Sequence, residues 1–303
     1  RTDRTPTYNF SVVVDDIDMR ITHVMRGDDH ISNTPKQIAV YRALGANLPV
    51  FAHVPMIHGK DGKKLSKRHG ATAVGDYQNL GILPSAMRNF LALLGWSPGG
   101  DRELFFDMPE LIDAFSVEGT QKKAAIFDTT KLEWMNGQHI MRMPPAHLLP
   151  ILDPFLAGHG IDVRATDPAR LVKAIEVVRE RSRTTLDVAR QAAVRLNPKL
   201  IQLDEKAQQL IGKDPDGFRT ALSAAAERLG AVKETAWEPA ELEAELRALA
   251  ESLGVPAGKV FQPIRIALTG TTVSEPVNVL LAVVGKQESL QRIKAAEGWP
   301  ATV

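Results

Sequence analysis

The segment Phe51-Ala52-His53-Val54-Pro55-Met56-Ile57-His58-Gly59-Lys60-Asp61-Gly62-Lys63-Lys64-Leu65-Ser66-Lys67-Arg68-His69-Gly70 joins a short apolar run to a loop dense in glycine and lysine. Its first seven residues read as a buried strand. Lys60, Lys63, Lys64, Lys67 and Arg68 then crowd together, with Gly59, Gly62 and Gly70 around them. Glycine permits tight turning and lysine supplies a compact cation for oxyanions. A loop of this kind at the C-terminal end of a strand sits where open α/β sheets bind ligands. It suits a triphosphate, where its cations would offset charge developing at the α-phosphate and the departing pyrophosphate. It is not a Walker A loop, because two residues separate Gly59 from Gly62 and Lys63 is followed by Lys64.

Outward from this segment, residues 1 to about 145 alternate short apolar runs with helical ones, which predicts α/β architecture. Ile21 to Arg26 is β-branched and short. Asn33 to Leu44 reads as a helix with Pro35 near its first turn and Gly45 as its stop. Tyr8 to Val14 fits either a strand or a buried helix. Beyond about residue 145 the period becomes helical, with Leu171, Ile175 and Val178 on one stripe and Leu242, Leu246, Leu249 and Leu253 on another. Asp128 and Ser274-Glu275-Pro276 mark helix starts.

Bulk properties narrow the classes. At 303 residues, 44% hydrophobic and 24% charged, the chain suits two or three globular domains. The longest apolar run, Val277 to Val284, is too short to span a bilayer, so no membrane partner is expected. The absence of cysteine excludes disulfides and Cys-based zinc sites, and no zinc is expected. Asp28-Asp29-His30 lacks a second cluster at metal-binding spacing. With a net charge of +1, any nucleic-acid contact must come from local patches. Arg1-Thr2-Asp3-Arg4-Thr5-Pro6 has no apolar signal core and no initiator Met, and reads as an internal stretch of a longer protein.

Ordered matches then accumulate. Pro6 to Asp16, Thr22 to His30, Asn33 to Gln37, Phe51 to Ile57 and Lys64 to Ala71 resemble the bacterial-type glutamyl-tRNA synthetase family of class I. So do Leu83-Pro84, Asn89-Phe90-Leu91, Leu94 to Ser97, Phe127-Asp128 and Lys131 to Gly137. The likeness weakens after residue 145 and returns at Gln262 to Gly270 and Leu281 to Lys286.

The resemblance implies the second half of a Rossmann-type catalytic domain over 1–60 and a signature loop with a helical stem-contact region over 61–145. Helical anticodon-binding domains over 146–203 and 204–303 would follow. It implies that Lys64-Leu65-Ser66-Lys67-Arg68 is the second class I signature, KMSKS, with Lys64 and Lys67 acting on ATP phosphates and Ser66 holding the loop. Arg68 stands where the consensus has Ser. Met56 and Ile57 would contact adenine, with Asp29 near ATP or the tRNA terminus. Tyr8 and Arg26 would line the glutamate pocket, since a guanidinium grips a carboxylate in two places. The plain alternatives are core packing for Tyr8 and a salt bridge from Arg26 to Asp28 or Asp29. Arg179 and Arg181, beside Arg183, are candidates for the anticodon, although residues two apart on a helix diverge. The implied partners are glutamate, ATP with Mg²⁺, and the glutamate tRNA, for a cytoplasmic monomer. A non-catalytic tRNA-binding module with a relic nucleotide loop is the competing reading.

The first class I signature, a His-x-Gly-His segment, is missing from this sequence. The 303-residue chain is therefore expected to catalyse no ATP–pyrophosphate exchange with glutamate and tRNA present, and robust exchange would refute that expectation.

Overall fold

A computed structural model describes residues 2–3, 5–66 and 73–299, and resolves two compact units. One comprises Arg1–Asn79 with Pro84–Met135, the other Leu80–Leu83 with Asn136–Val303.

The first unit is built on a parallel pair of strands. Helix α1 (Tyr8–Asp18) precedes strand β1 (His23–Gly27), helix α2 (Thr34–Ala43) and strand β2 (Val50–Val54). The apolar run at Tyr8 to Val14, ambiguous in the sequence, is thus helical. Only Val13 of it is fully buried, because one face of α1 packs on α2. Asn9 and Asp16 on α1 accept hydrogen bonds from Gln37 Nε2 (3.1 Å) and Tyr41 Oη (3.0 Å) on α2. Burial and the Asp16 carboxylate push the Tyr41 phenol up to about 12, so that it stays a donor. The helix expected from Asn33 begins at Thr34, since Asp28–Asn33 forms a 3-10 turn first. Pro35 lies in its opening turn and Gly45 ends it with φ +67°.

Strands β1 and β2 run parallel in the register His23↔Val50 to Gly27↔Val54. Parallel strands require a crossover, here supplied by α2, and so both carboxyl ends lie on one edge. There Gly27 leaves room for its neighbours: a Cβ would meet Asp29 Oδ1 at 2.6 Å and Met56 Sδ at 3.0 Å, so both side chains would have to shift. The unit continues through short α3 (Asp76–Asn79), α4 (Pro84–Ala92) and α5 (Met108–Ala114) into α6 (Thr129–Arg142), whose C-terminal half belongs to the second unit. Phe90 and Tyr77 pack on Phe127, at 4.9 and 5.7 Å between ring centroids.

The second unit is helical. It contains α7 (Pro145–Gly158), α8 (Pro168–Arg179), α9 (Thr185–Leu196), α10 (Glu205–Lys213), α11 (Pro215–Ala231), α12 (Pro239–Ser252), α13 (Gly258–Thr269), α14 (Val277–Val284) and α15 (Lys286–Glu297). The predicted stripes are core: Leu171, Ile175, Val178, Leu242, Leu246 and Leu249 are all buried, while Leu253 caps α12 and is partly exposed. Trp237 donates its indole N–H to Leu281 O (3.0 Å) inside that core. A capping box of Thr184 and Asp187 starts α9. Among the described residues no helix is long and apolar enough to cross a membrane.

Asn136, fully buried, accepts from Leu83 N (2.8 Å) and donates to Gly81 O (3.0 Å) and Arg183 O (2.7 Å). It supplies backbone partners that no secondary structure provides. Asn136→Ala should cost on the order of 3 kcal/mol by leaving these groups unpaired, read as a lower denaturation midpoint. A change below about 0.5 kcal/mol would show that the loop repairs itself.

Candidate functional site

Arg26 sits one residue before the end of β1, half-buried, with its guanidinium 5.6 Å from the centre of the Phe51 ring. Its NH2 donates to Thr34 Oγ1 (2.9 Å) and Gln37 Oε1 (2.6 Å), both neutral. Its Nε is buried with no partner. The salt bridge to Asp28 or Asp29 is not what holds it. A partly desolvated cation whose observed partners are neutral is a fitting seat for a carboxylate. Thr34 Oγ1 also contacts His53 Nε2 (3.0 Å) and donates to His30 O (3.3 Å). Tyr8, 52% exposed, is not core; its hydroxyl lies 3.4 Å from His30 Nδ1. Tyr8 and Arg26 are therefore linked through His30 and Thr34. Thr34, Gln37 and His53 carried no site role in the sequence, although Thr34 and Gln37 stand at i, i+3 on one helix face.

The loop that follows β2 is anchored at its base. His58 N donates to Ala125 O and Phe127 N to His58 O, while Gly59 N donates to Lys63 O across a tight turn with Gly62 at φ +72°. Lys60 Nζ reaches Asp128 Oδ1 (2.7 Å) and Thr130 Oγ1 (2.9 Å). Lys64 Nζ pairs with Asp29 Oδ2 (3.2 Å), and this bond holds the Asp29 carboxyl below its ordinary range. Ser66 is exposed; Lys67 and Arg68 lie outside the described residues. Above the strand ends opens a largely apolar cavity of about 590 Å³, lined by Met25, Met56, Ile57, Lys64, Trp96 and Phe115 among others. That volume accommodates a nucleotide-sized ligand. Met56, Ile57, Lys64 and Asp29 thus converge on one edge of the sheet. Among the described residues no three His, Asp or Glu side chains gather as a metal-binding set.

In the helical unit a second cavity of about 460 Å³ is lined by Arg181, Arg247, Phe261, Arg265, Ser274 and Asn278 among others. Arg265 donates to Ser274 Oγ (3.0 Å) and to Gln262 Oε1. Burial draws its pKa down, the Arg181 charge adds to this, and the Glu275 carboxylate opposes it. The nearest carboxylate to Arg181 is Glu180, at 3.9 Å. Arg179 instead donates to Met143 O (2.7 Å) and does not line the cavity. Arg265 and Arg247 were not legible as partners of Arg181, because only tertiary packing joins them.

Comparison with known proteins follows this division. The family described as class I tRNA synthetases (E and Q), catalytic domain, matches residues 1–134, and the anticodon binding domain family matches residues 146–297. The chain is 43% identical over 297 residues to a glutamate–tRNA ligase of Syntrophobacter fumaroxidans, covering 98% of this chain and 61% of that protein. It is 42% identical to glutamate–tRNA ligase 1 of Alkalilimnicola ehrlichii, covering 99% of this chain and 62% of the relative. The crystal structure of a glutamate tRNA ligase from Elizabethkingia meningosepticum in complex with its amino acid superposes with a TM-score of 0.82 at 28% identity. That match covers 98% of this chain and 61% of the other. The chain spans about three-fifths of the length of the relatives it matches.

Asp128 accepts from Lys60 and from the Thr130 (2.8 Å) and Lys131 (3.4 Å) amides, capping α6 and anchoring the loop. Asp128→Ala should cost about 1 kcal/mol, as loss of a helix cap does. The Lys60 bond lowers the Asp128 pKa below its ordinary 3.8. Its stabilisation is thus complete above that value and fades as pH falls through the lowered folded value. Chemical denaturation should find wild type and variant converging below about pH 4, and a pH-independent gap would contradict this role.

Proposed function

The chain belongs to the glutamyl-tRNA synthetase family of class I, and from that premise we propose that the whole protein is a cytoplasmic glutamate–tRNA ligase acting in translation. The observation that carries the choice of substrate is Arg26: a half-buried guanidinium with neutral partners near the end of β1, between Met25 and Gly27, which line the larger cavity. A site of that charge takes an acidic side chain in preference to its amide. Tyr8, on the His30 side of the same network, completes the pocket. Met56 and Ile57 offer apolar surface and backbone to an adenine. Lys64, joined by Lys67 and Arg68, takes the phosphates, with Ser66 shaping the loop; Mg²⁺ enters with ATP.

The reaction has two steps. The glutamate α-carboxylate oxygen attacks the α-phosphorus of ATP, and the bond to the bridging oxygen breaks, releasing pyrophosphate. Lysine cations offset the charge that builds on the phosphates. Lys64 must give up part of its Asp29 pairing to do so, and Asp29 thereby holds it ready beside the cavity. A ribose hydroxyl at the tRNA terminus then attacks the adenylate carbonyl carbon, and AMP leaves. Neither step uses a covalent protein nucleophile. The 303-residue chain by itself binds tRNA without forming the adenylate.

The smaller cavity supplies the anticodon contact. Arg181 and Arg265 present cations to it beside Phe261 as a stacking face, while Arg247 is paired with Glu243 (2.6 Å), a carboxylate that also lines the cavity. In the whole protein, Arg26→Ala should raise the KM for glutamate about 10- to 100-fold, as loss of charged hydrogen bonds does. An unchanged KM would remove Arg26 from the pocket. In filter binding, Arg181→Ala should weaken tRNA association by the 303-residue chain and reduce its salt slope by about one. A slope equal to wild type would leave Arg181 as a solvated cation.

A further inference from the structure

The wall of the smaller cavity contains a residue that faces away from it. Ser274, Pro276 and Asn278 line the cavity, whereas the Glu275 side chain between them is 3% exposed and turned inward. It meets Arg195 of α9 side-on, Nε to Oε1 at 3.0 Å and NH2 to Oε2 at 2.6 Å. Arg195 is itself fixed, donating NH1 to Gln191 O (3.0 Å) and accepting from Arg292 NH2 at its carbonyl (3.1 Å). Arg292 also donates to Val194 O (2.8 Å) and Leu268 O (2.9 Å), tying the end of α9 to the end of α13. Arg265 lies one turn earlier on α13 and donates to Ser274 Oγ.

Stability alone is a weak reason to bury such a pair, because well-packed apolar residues of similar volume do as well or better. What a bidentate pair adds is one allowed geometry. We infer that Arg195 and Glu275 are positioning residues: they set the Ser274–Asn278 wall, and through Ser274 the Arg265 guanidinium, against Arg181, and so determine which RNA loop the cavity accepts. This rests on the reading of the cavity as the anticodon site.

The test uses the 303-residue chain and two RNA hairpins, one carrying the anticodon loop of the glutamate tRNA and one with its anticodon bases replaced. The double variant Arg195→Met, Glu275→Leu should keep the wild-type circular dichroism and melt no lower than wild type. It should bind the matched hairpin about tenfold more weakly, with the ratio between hairpins falling toward one. Glu275→Gln, which preserves shape and part of the bonding, should lower the same ratio if the double variant does not fold. A merely structural pair would shift the melt and leave the ratio within twofold of wild type, and that result overturns the proposal. If wild type does not distinguish the hairpins, or if both Arg181→Ala and Arg265→Ala bind as wild type, the anticodon reading itself fails. Normal losses from those two variants with an unchanged Arg195–Glu275 variant would reject the positioning role alone.

Discussion

The parallel pairing of β1 with β2 is the constraint on which the candidate active site depends. Antiparallel neighbours would place their chain ends on opposite edges; a parallel pair delivers both carboxyl ends to one. From Gly27↔Val54 the chain leaves at the same height twice, once into Asp28-Asp29 and once into Pro55-Met56-Ile57. The contact is close enough that a side chain at Gly27 would displace those of Asp29 and Met56. Arg26, Asp29, Met56 and the lysine loop become neighbours through that single register, although the loop follows β1 by some three dozen residues.

The cations at this edge are held in two different ways. Lys60 and Lys64 are exposed and paired with Asp128 and Asp29. Exposed pairs of this kind contribute little to stability and exchange easily. Arg26 is held by a threonine hydroxyl and a glutamine amide, which fix its direction without spending its charge. Releasable lysines suit phosphates that arrive and depart. A directed, uncompensated arginine suits a substrate carboxylate that must be recognised before anything reacts.

Much of this architecture was visible in the residues. The helix closed by Gly45, the cap at Asp128, the start of α14 just after Pro276 and both helical stripes follow from turn chemistry and periodicity, whereas the buried strand expected over Phe51 to Ile57 is a part-exposed one that ends at Val54. Tyr8 to Val14 was not decidable, because an unbroken apolar run carries no period. Its helical form depends on Gln37 and Tyr41, which reach back from α2. The same limit governs the sites. Lys64 announces itself by composition, but the neutral cradle of Arg26 and the meeting of Arg181 with Arg265 depend on contacts distant in sequence. Arg179 and Arg181 look alike in the chain, yet one is spent on Met143 O and the other faces a cavity.

The guanidinium of Arg292 reaches carbonyls at the ends of both α9 and α13, and that of Arg170 reaches Arg195 O (3.5 Å) and Val284 O (3.4 Å). Cutting the chain between α9 and α10 would strand a buried cation on one piece and open helix ends on the other. Such a seam resists shuffling: recombination that exchanged either sub-bundle alone would have to replace three arginines together. Neither part of the helical unit is thereby self-sufficient, since each closes hydrogen bonds that the other leaves open.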